Sequence, residues 1–262
     1  MPQAQLFYRR EGRGEPIVLL HGFLASSHYF KKLRAQLSAT HTVISIDLLG
    51  FGRSPKPADA VYDYDDHIRA VRQTLQALGV SRFTLVGHSL GALVALRYAV
   101  HHPAEVRQLV LFNPPMFIDS AQALQVLRAS GLHYRVMLHS PHRHDIAWWA
   151  MKTLPRFPFN KRRPAINLTD MLRVRQAARR RTYQNIIVTA QFFPDAQRLT
   201  VPTLLVAGKR DRPEYNANAI GWAIPPAIVP LAVPTGHHTP MSRPLLAAAL
   251  ITRFLATYSD EL

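Results

Sequence analysis

The run Gly87-His88-Ser89-Leu90-Gly91 has the residue types for nucleophilic chemistry: a serine between two glycines, directly after the apolar run Phe83 to Val86 and directly before the helical run Ala92 to Val100. In a strand-turn-helix setting, Gly-x-Ser-x-Gly presents the serine hydroxyl on a sharp turn. The glycines have a physical reason. A serine on so tight a turn takes an unfavourable backbone geometry, and side chains two residues before and after it would collide where strand and helix approach. A serine hydroxyl is too weakly acidic to attack a carbonyl unaided, so a neutral imidazole must take its proton and later pass it to the leaving group. That imidazole needs a carboxylate on its far nitrogen, to fix the tautomer and stabilise the charge that develops. The plain alternative for Ser89 is a helix cap.

The elements that would position such groups can be read from the chain. Ile17 to Leu20, Thr42 to Ile46, Phe83 to Val86 and Val106 to Phe112 are short, continuous apolar runs, each followed by turn residues and a longer helical pattern. Runs of this kind are strands of a parallel sheet buried on both faces, which makes the fold class α/β. Leu6 to Arg10 reads as an antiparallel edge strand. Ser26 and Ser27 precede a helix running to Gln36, and Asp63, Asp65 and Asp66 crowd the start of another that ends before Gly79. Such side chains accept hydrogen bonds from the free amides of a helix start. Thr203 to Ala207 and Ile228 to Val233 are further strands, the last at an edge because of Pro230. A helix from Leu245 to Tyr258 closes the chain.

Composition bounds the rest. The 262 residues are 48% hydrophobic, enough for a large core and too apolar for a disordered chain. The absence of Cys removes disulfides, thiolate metal sites and a cysteine nucleophile. The first ten residues lack a secretory pattern and no run reaches the length of a membrane-spanning helix, so a soluble, cytoplasmic protein is expected. Net charge is +16, and 113–199 carries fourteen Lys/Arg against four Asp/Glu, with clusters at Lys161-Arg162-Arg163 and Arg179-Arg180-Arg181. A solvated helix face explains most such runs, and weak contact with an anionic membrane surface is the functional alternative. The clusters are not interleaved with aromatics, so no nucleic-acid partner is expected. Among the thirteen His, no His-x-x-x-His pair occurs, and His139, His142 and His144 flank Pro141 in what reads as a loop, so no metal or cofactor is implied.

Five segments in order resemble the α/β-hydrolase family over nearly the whole chain apart from 113–199. They are His21-Gly22-Phe23, the run Asp47-Leu48-Leu49-Gly50-Phe51-Gly52-Arg53-Ser54, the turn at Ser89, Gly208-Lys209-Arg210-Asp211, and Gly236-His237. The resemblance implies an α/β-hydrolase fold, a mostly parallel sheet flanked by helices with a helical cap inserted after the sixth strand. The core would comprise 1–112 and 200–262, and 113–199 would be the cap, with Trp148 and Trp149 in its own core or lining the substrate site. It assigns Ser89 as nucleophile, Asp211 as the acid and His237 as the base, the latter because the family places its histidine straight after the glycine. His238 is the neighbouring alternative, Arg210 and Arg212 are competitors for the Asp211 carboxylate, and Asp119 is a substitute acid. The amides of Phe23 and Leu90 would form the oxyanion hole, and His21 and His88 would bind substrate. His21 also has a plain reading as a loop-shaping hydrogen bonder, and Asp47, Gly50 and Gly52 as a structural turn.

By resemblance the activity is hydrolysis of carboxylic esters of short to medium acyl chains through an acyl-serine, since His21-Gly22-Phe23 has one glycine where some lipases and esterases carry three. The substrate would be a small ester or a lipid-like molecule. Thioesters, lipid monoesters and carbon–carbon bonds remain open within the same chemistry, and a non-catalytic ligand-binding protein is the competitor from another class. The oligomeric state is not legible.

Overall fold

The computed structural model describes residues 5–129, 173–215 and 222–258. The expected clusters at Lys161-Arg162-Arg163, Trp148 and Trp149, and His139, His142 and His144 lie outside the described residues. The strands are β1 (Tyr8–Glu11), β2 (Pro16–Leu20), β3 (Thr42–Ile46), β4 (Phe83–His88), β5 (Val106–Phe112), β6 (Thr203–Gly208) and β7 (Ile228–Val233). They form one seven-stranded sheet in the order β1-β3-β2-β4-β5-β6-β7. Only β1 runs antiparallel, pairing Tyr8 with Ile46 at one edge. β7, with Pro230, closes the other edge. Counted in this sheet, the segment 113–199 follows the fifth strand, because a single antiparallel strand precedes the parallel series.

Side chains alternate across a strand, and this alternation builds two cores. Val18, Leu20, Ile44, Ile46, Leu85, Leu109 and Leu111 point to one face, where they meet Val71 and Leu75 of α2 (Tyr64–Ala77) and nearly all of α3 (Leu90–His101). Ile17, Leu19, Val43, Val86, Val110 and Phe112 point to the other, against Leu33 and Leu37 of α1 (Lys31–Leu37) and the last helix, Pro244–Thr257. Fully burying one such side chain stabilises the fold by roughly 1.5–3 kcal/mol. α2 starts where Asp63 accepts a hydrogen bond from the Asp66 amide at 3.0 Å. The expected first helix is instead a 3₁₀ turn, Ser27–Phe30, leading into α1. The Ser26 hydroxyl accepts the His28 amide and opens that tighter turn.

The described ends of 113–199 share the first core. α4 (Ser120–Ala129), α5 (Gln176–Thr182), the π turn Tyr183–Ile187 and α6 (Phe192–Gln197) contribute Ala123, Leu127, Ala178, Tyr183, Ile186 and Phe192 to it. An ion pair between Arg97 of α3 and Asp195 of α6, 2.8 Å apart, adds a polar tie, and the guanidinium lies 4.0 Å from the ring centre of Tyr64. After β7 the chain forms α7 (Thr239–Ser242) and α8 (Pro244–Thr257). Among the described residues no helix is long and apolar enough to cross a membrane.

Candidate active site

Ser89 links β4 to α3 with φ 54° and ψ −117°. A non-glycine residue at positive φ in this region is strained, and such strain persists only where the surroundings enforce it. The surroundings here are the two flanking glycines. A Cβ on Gly91 would overlap the carbonyl oxygens of Leu20 and His21 at the end of β2, and one on Gly87 would overlap the first turn of α3. The Ser89 amide donates to the Phe112 carbonyl at 2.9 Å, fixing the turn to the end of β5. Its side chain makes no cap hydrogen bond to α3, so the helix-cap reading does not hold.

The hydroxyl meets His237 instead. His237 Nε2 lies 3.1 Å from Ser89 Oγ, and His237 Nδ1 lies 2.7 Å from Asp211 Oδ2. Nδ1 donates to the carboxylate, which leaves the Nε2 lone pair facing the hydroxyl. Asp211 follows β6 and His237 follows β7, so the ends of β4, β6 and β7 at one end of the sheet bring together three side chains that are widely separated along the chain. Neither neighbouring arginine diverts the carboxylate by a side-chain ion pair among the described contacts: Oδ1 accepts the main-chain N–H of Arg212 at 2.9 Å. Asp119 caps α4 by accepting the Gln122 amide at 2.7 Å. His238 turns toward Tyr29 and His88 rather than toward the hydroxyl.

The two histidines expected to bind substrate are both buried. His21 is fully buried, accepts the Leu48 amide on Nε2 at 3.0 Å and donates from Nδ1 to the Gly22 carbonyl at 2.8 Å. It holds the Asp47 turn against the end of β2, with its ring set edge-to-face with Phe51 at 5.8 Å. Asp47 in turn accepts the amides of Ser27 and Arg53, the structural role read for that turn. His88 is 2% exposed and donates from Nε2 to the main-chain oxygen of His237 at 2.8 Å. Burial, then the nearby His237 and His238 rings, push its imidazole well below the ordinary histidine range, so it stays neutral with its proton on Nε2. The ring stacks on Tyr29 at 4.6 Å between centroids. His88 is therefore a clamp on the His237 loop. Gly22 makes this packing feasible, because a Cβ there would stand 2.9 Å from His88 Nδ1 and 3.2 Å from Ser89 Cβ.

Phe23 follows Gly22, its ring against Phe51 and Tyr183. Leu90 opens α3, where the first amides of a helix have no partner within it. Two residues of the site escaped the sequence reading. Asn113, just past β5, donates from Nδ2 to Asp211 Oδ2 at 2.9 Å. Tyr215 sets its ring edge-on to His237 at 4.8 Å. The one local signal for Asn113 was its position at the end of the strand beside the nucleophile's own. Among the described residues no group of three or more His, Asp or Glu could hold a metal ion.

Comparison with known proteins accords with this architecture. Lipase 1 of Psychrobacter immobilis is 29% identical over 247 residues, covering 89% of this chain and 75% of that protein. Probable lysophospholipase BODYGUARD 3 of Arabidopsis thaliana is 38% identical over 109 residues, 39% of this chain and 22% of the plant protein. The match thus spans about a fifth of that relative's length. The solved esterase EaEST of Exiguobacterium antarcticum superposes with a TM-score of 0.74 at 20% identity, covering 97% of this chain and 98% of the other. The alpha/beta hydrolase fold family matches residues 15–244, and the chain belongs to that family.

Proposed function

We propose that this protein is a serine hydrolase that cleaves carboxylic esters of short to medium acyl chains through an acyl-serine intermediate. One observation carries the reading: a single imidazole stands within hydrogen-bonding reach of both the elbow hydroxyl and a carboxylate, at 3.1 and 2.7 Å. His237 Nε2 takes the Ser89 proton as Oγ bonds to the ester carbonyl carbon. The amides of Leu90 and Phe23 receive the negative charge on the former carbonyl oxygen, a contribution that is typically about 3 kcal/mol per donor. Collapse breaks the bond to the alcohol, which leaves with the proton from His237. Water then gives a proton to His237 as its oxygen bonds to the acyl carbon, and collapse breaks the bond to Oγ, which takes that proton back from His237 and frees the acid and Ser89. Asp211 holds the imidazole and balances its transient charge throughout.

The segment 113–199 acts as the cap over this end of the sheet, where ligands of such folds bind. Support for a lipid-like ester comes from the names of the relatives, lipase and lysophospholipase, and from the exposed Arg173, Arg175 and Arg180 at the described end of that segment. Those guanidinium groups suit weak contact with an anionic membrane surface.

The test is labelling by an active-site fluorophosphonate together with turnover of esters of graded chain length, with and without a charged headgroup. Labelling at Ser89 is expected, with turnover highest on short to medium acyl chains. Ser89→Ala is expected to fold normally and lose roughly three to six orders of magnitude in kcat. An unlabelled wild-type chain, or esterase activity retained by Ser89→Ala, would refute the proposal.

A further inference from the structure

We infer that Asn113 is a positioning residue. Its side-chain amide holds the Asp211 carboxylate in place against His237 and couples it to the loop that carries His237. The inference rests on the proposed roles of Ser89, His237 and Asp211.

Asn113 ends β5 at φ 49° and is fully buried. Asn tolerates the left-handed region better than other residues with a side chain, because its short amide can bond locally. Here the amide does something else. The main-chain N–H of Asn113 donates to the Val206 carbonyl at 2.8 Å, tying it to β6, the strand that leads to Asp211. Nδ2 donates to Asp211 Oδ2, and Oδ1 accepts the hydroxyl of Thr239, also fully buried, at 3.2 Å. Thr239 Oγ1 is in turn 2.7 Å from Thr235 Oγ1. Thr239 has a single hydroxyl proton. Asn113 Oδ1 and the Gly236 carbonyl oxygen, 3.3 Å from the same hydroxyl, can only accept, so Thr239 shares its proton between them and Thr235 donates to Thr239.

The chain of donors therefore runs one way, from Thr235 through Thr239 and Asn113 to Asp211. It ends on the same carboxylate oxygen that receives His237 Nδ1–H. Reversing the amide would set Oδ1 against the carboxylate, acceptor on acceptor, so the Asp211 carboxylate selects the orientation that supplies it with a proton, and that orientation leaves Oδ1 for Thr239. Thr235 and Thr239 each stand two residues from His237. One buried amide thus fixes the acid and braces both sides of the loop that bears the base. Bonds in such a chain polarise one another, so the last one is stronger than an isolated pair.

The experiment compares wild type with Asn113→Ala, Thr239→Val, Thr239→Ser and the Asn113→Ala/Thr239→Val double variant. It reads kcat and KM separately on one ester, the rate of fluorophosphonate labelling, thermal unfolding, and the far-downfield proton resonance of a hydrogen-bonded His237 Nδ1–H. Asn113→Ala is expected to lower kcat and the labelling rate by about tenfold to a hundredfold, the scale of a small misplacement of catalytic groups, with KM nearly unchanged and the downfield resonance weakened. Thr239→Val is expected to move the same readouts in the same direction, and Thr239→Ser, which keeps the hydroxyl, to restore most of the rate. The double variant is expected to be no slower than Asn113→Ala. A folded Asn113→Ala with wild-type kcat, labelling rate and resonance would overturn the inference. Should Asn113→Ala fail to fold, identical kcat and resonance in Thr239→Val and Thr239→Ser would overturn it equally. A wild-type chain that resists labelling is a separate outcome, which removes the underlying hydrolase reading.

Discussion

Replacing His67 by Gln should make the protein markedly less sensitive to acid. His67 lies on α2, fully buried, with Nε2 3.2 Å from the Thr182 hydroxyl of α5 and Nδ1 without a hydrogen-bond partner. Phe51 and Tyr62 pack around the ring. Burial, opposed by the charge of Asp66 and reinforced by His21, pushes the imidazole down from 6.5 to about 3. The unfolded chain therefore takes up a proton at this site below about pH 6.5 and the folded chain does not, so stability falls as pH falls from that value toward 3. Linkage puts the loss between pH 7 and pH 5 at about 2 kcal/mol for this one group. That figure is set almost wholly by the unfolded value, because the folded one lies well below pH 5. Urea unfolding followed by tryptophan fluorescence at both pH values gives the change for each protein. The wild type should lose about 2 kcal/mol more than His67→Gln, whatever the variant's stability at pH 7. Parallel losses in the two proteins would refute the claim that His67 is buried neutral.

Other perturbations test the packing around the site. Gly91→Ala should destabilise the fold by roughly 1–3 kcal/mol and abolish fluorophosphonate labelling, because the new methyl group meets two backbone carbonyls of the β2 end; thermal unfolding and labelling check both effects. His88→Phe keeps a ring to stack on Tyr29 but leaves the His237 carbonyl without its donor. A stability loss of about 1–3 kcal/mol and a fall in kcat are expected from urea titration and ester turnover. Arg97→Met should cost roughly 3 kcal/mol by leaving Asp195 buried and unpaired, and adding Asp195→Leu should recover most of the lost melting temperature.

Strand identity was legible because a buried parallel strand is a short apolar run between turn residues, and the edges declared themselves through Pro230 and the polar β1. The hydroxyl, carboxylate and imidazole were legible because each sits in a short motif at a strand end. The supporting partners were not. His88 bonds to a carbonyl 149 residues away and Asn113 to a carboxylate 98 residues away, and contacts at such separations leave no local pattern. Asn113 read as the first residue of the insert, whereas its buried side chain belongs to the core. His21 and His88 carried a motif's expectation of ligand contact; His21 bonds main-chain groups through both ring nitrogens and His88 through Nε2, over separations that leave no local pattern for Leu48 and His237.

The order of the sheet also bears on the life of the nascent chain. Synthesis delivers Ser89 with the first four strands, whereas Asp211 and His237 follow β6 and β7, added on the far side after the long interruption. A ribosome-bound fragment with Ser89 already on its turn lacks the imidazole and the carboxylate that the proposed mechanism requires. On the proposed mechanism, reactivity waits until the last two parallel strands have docked.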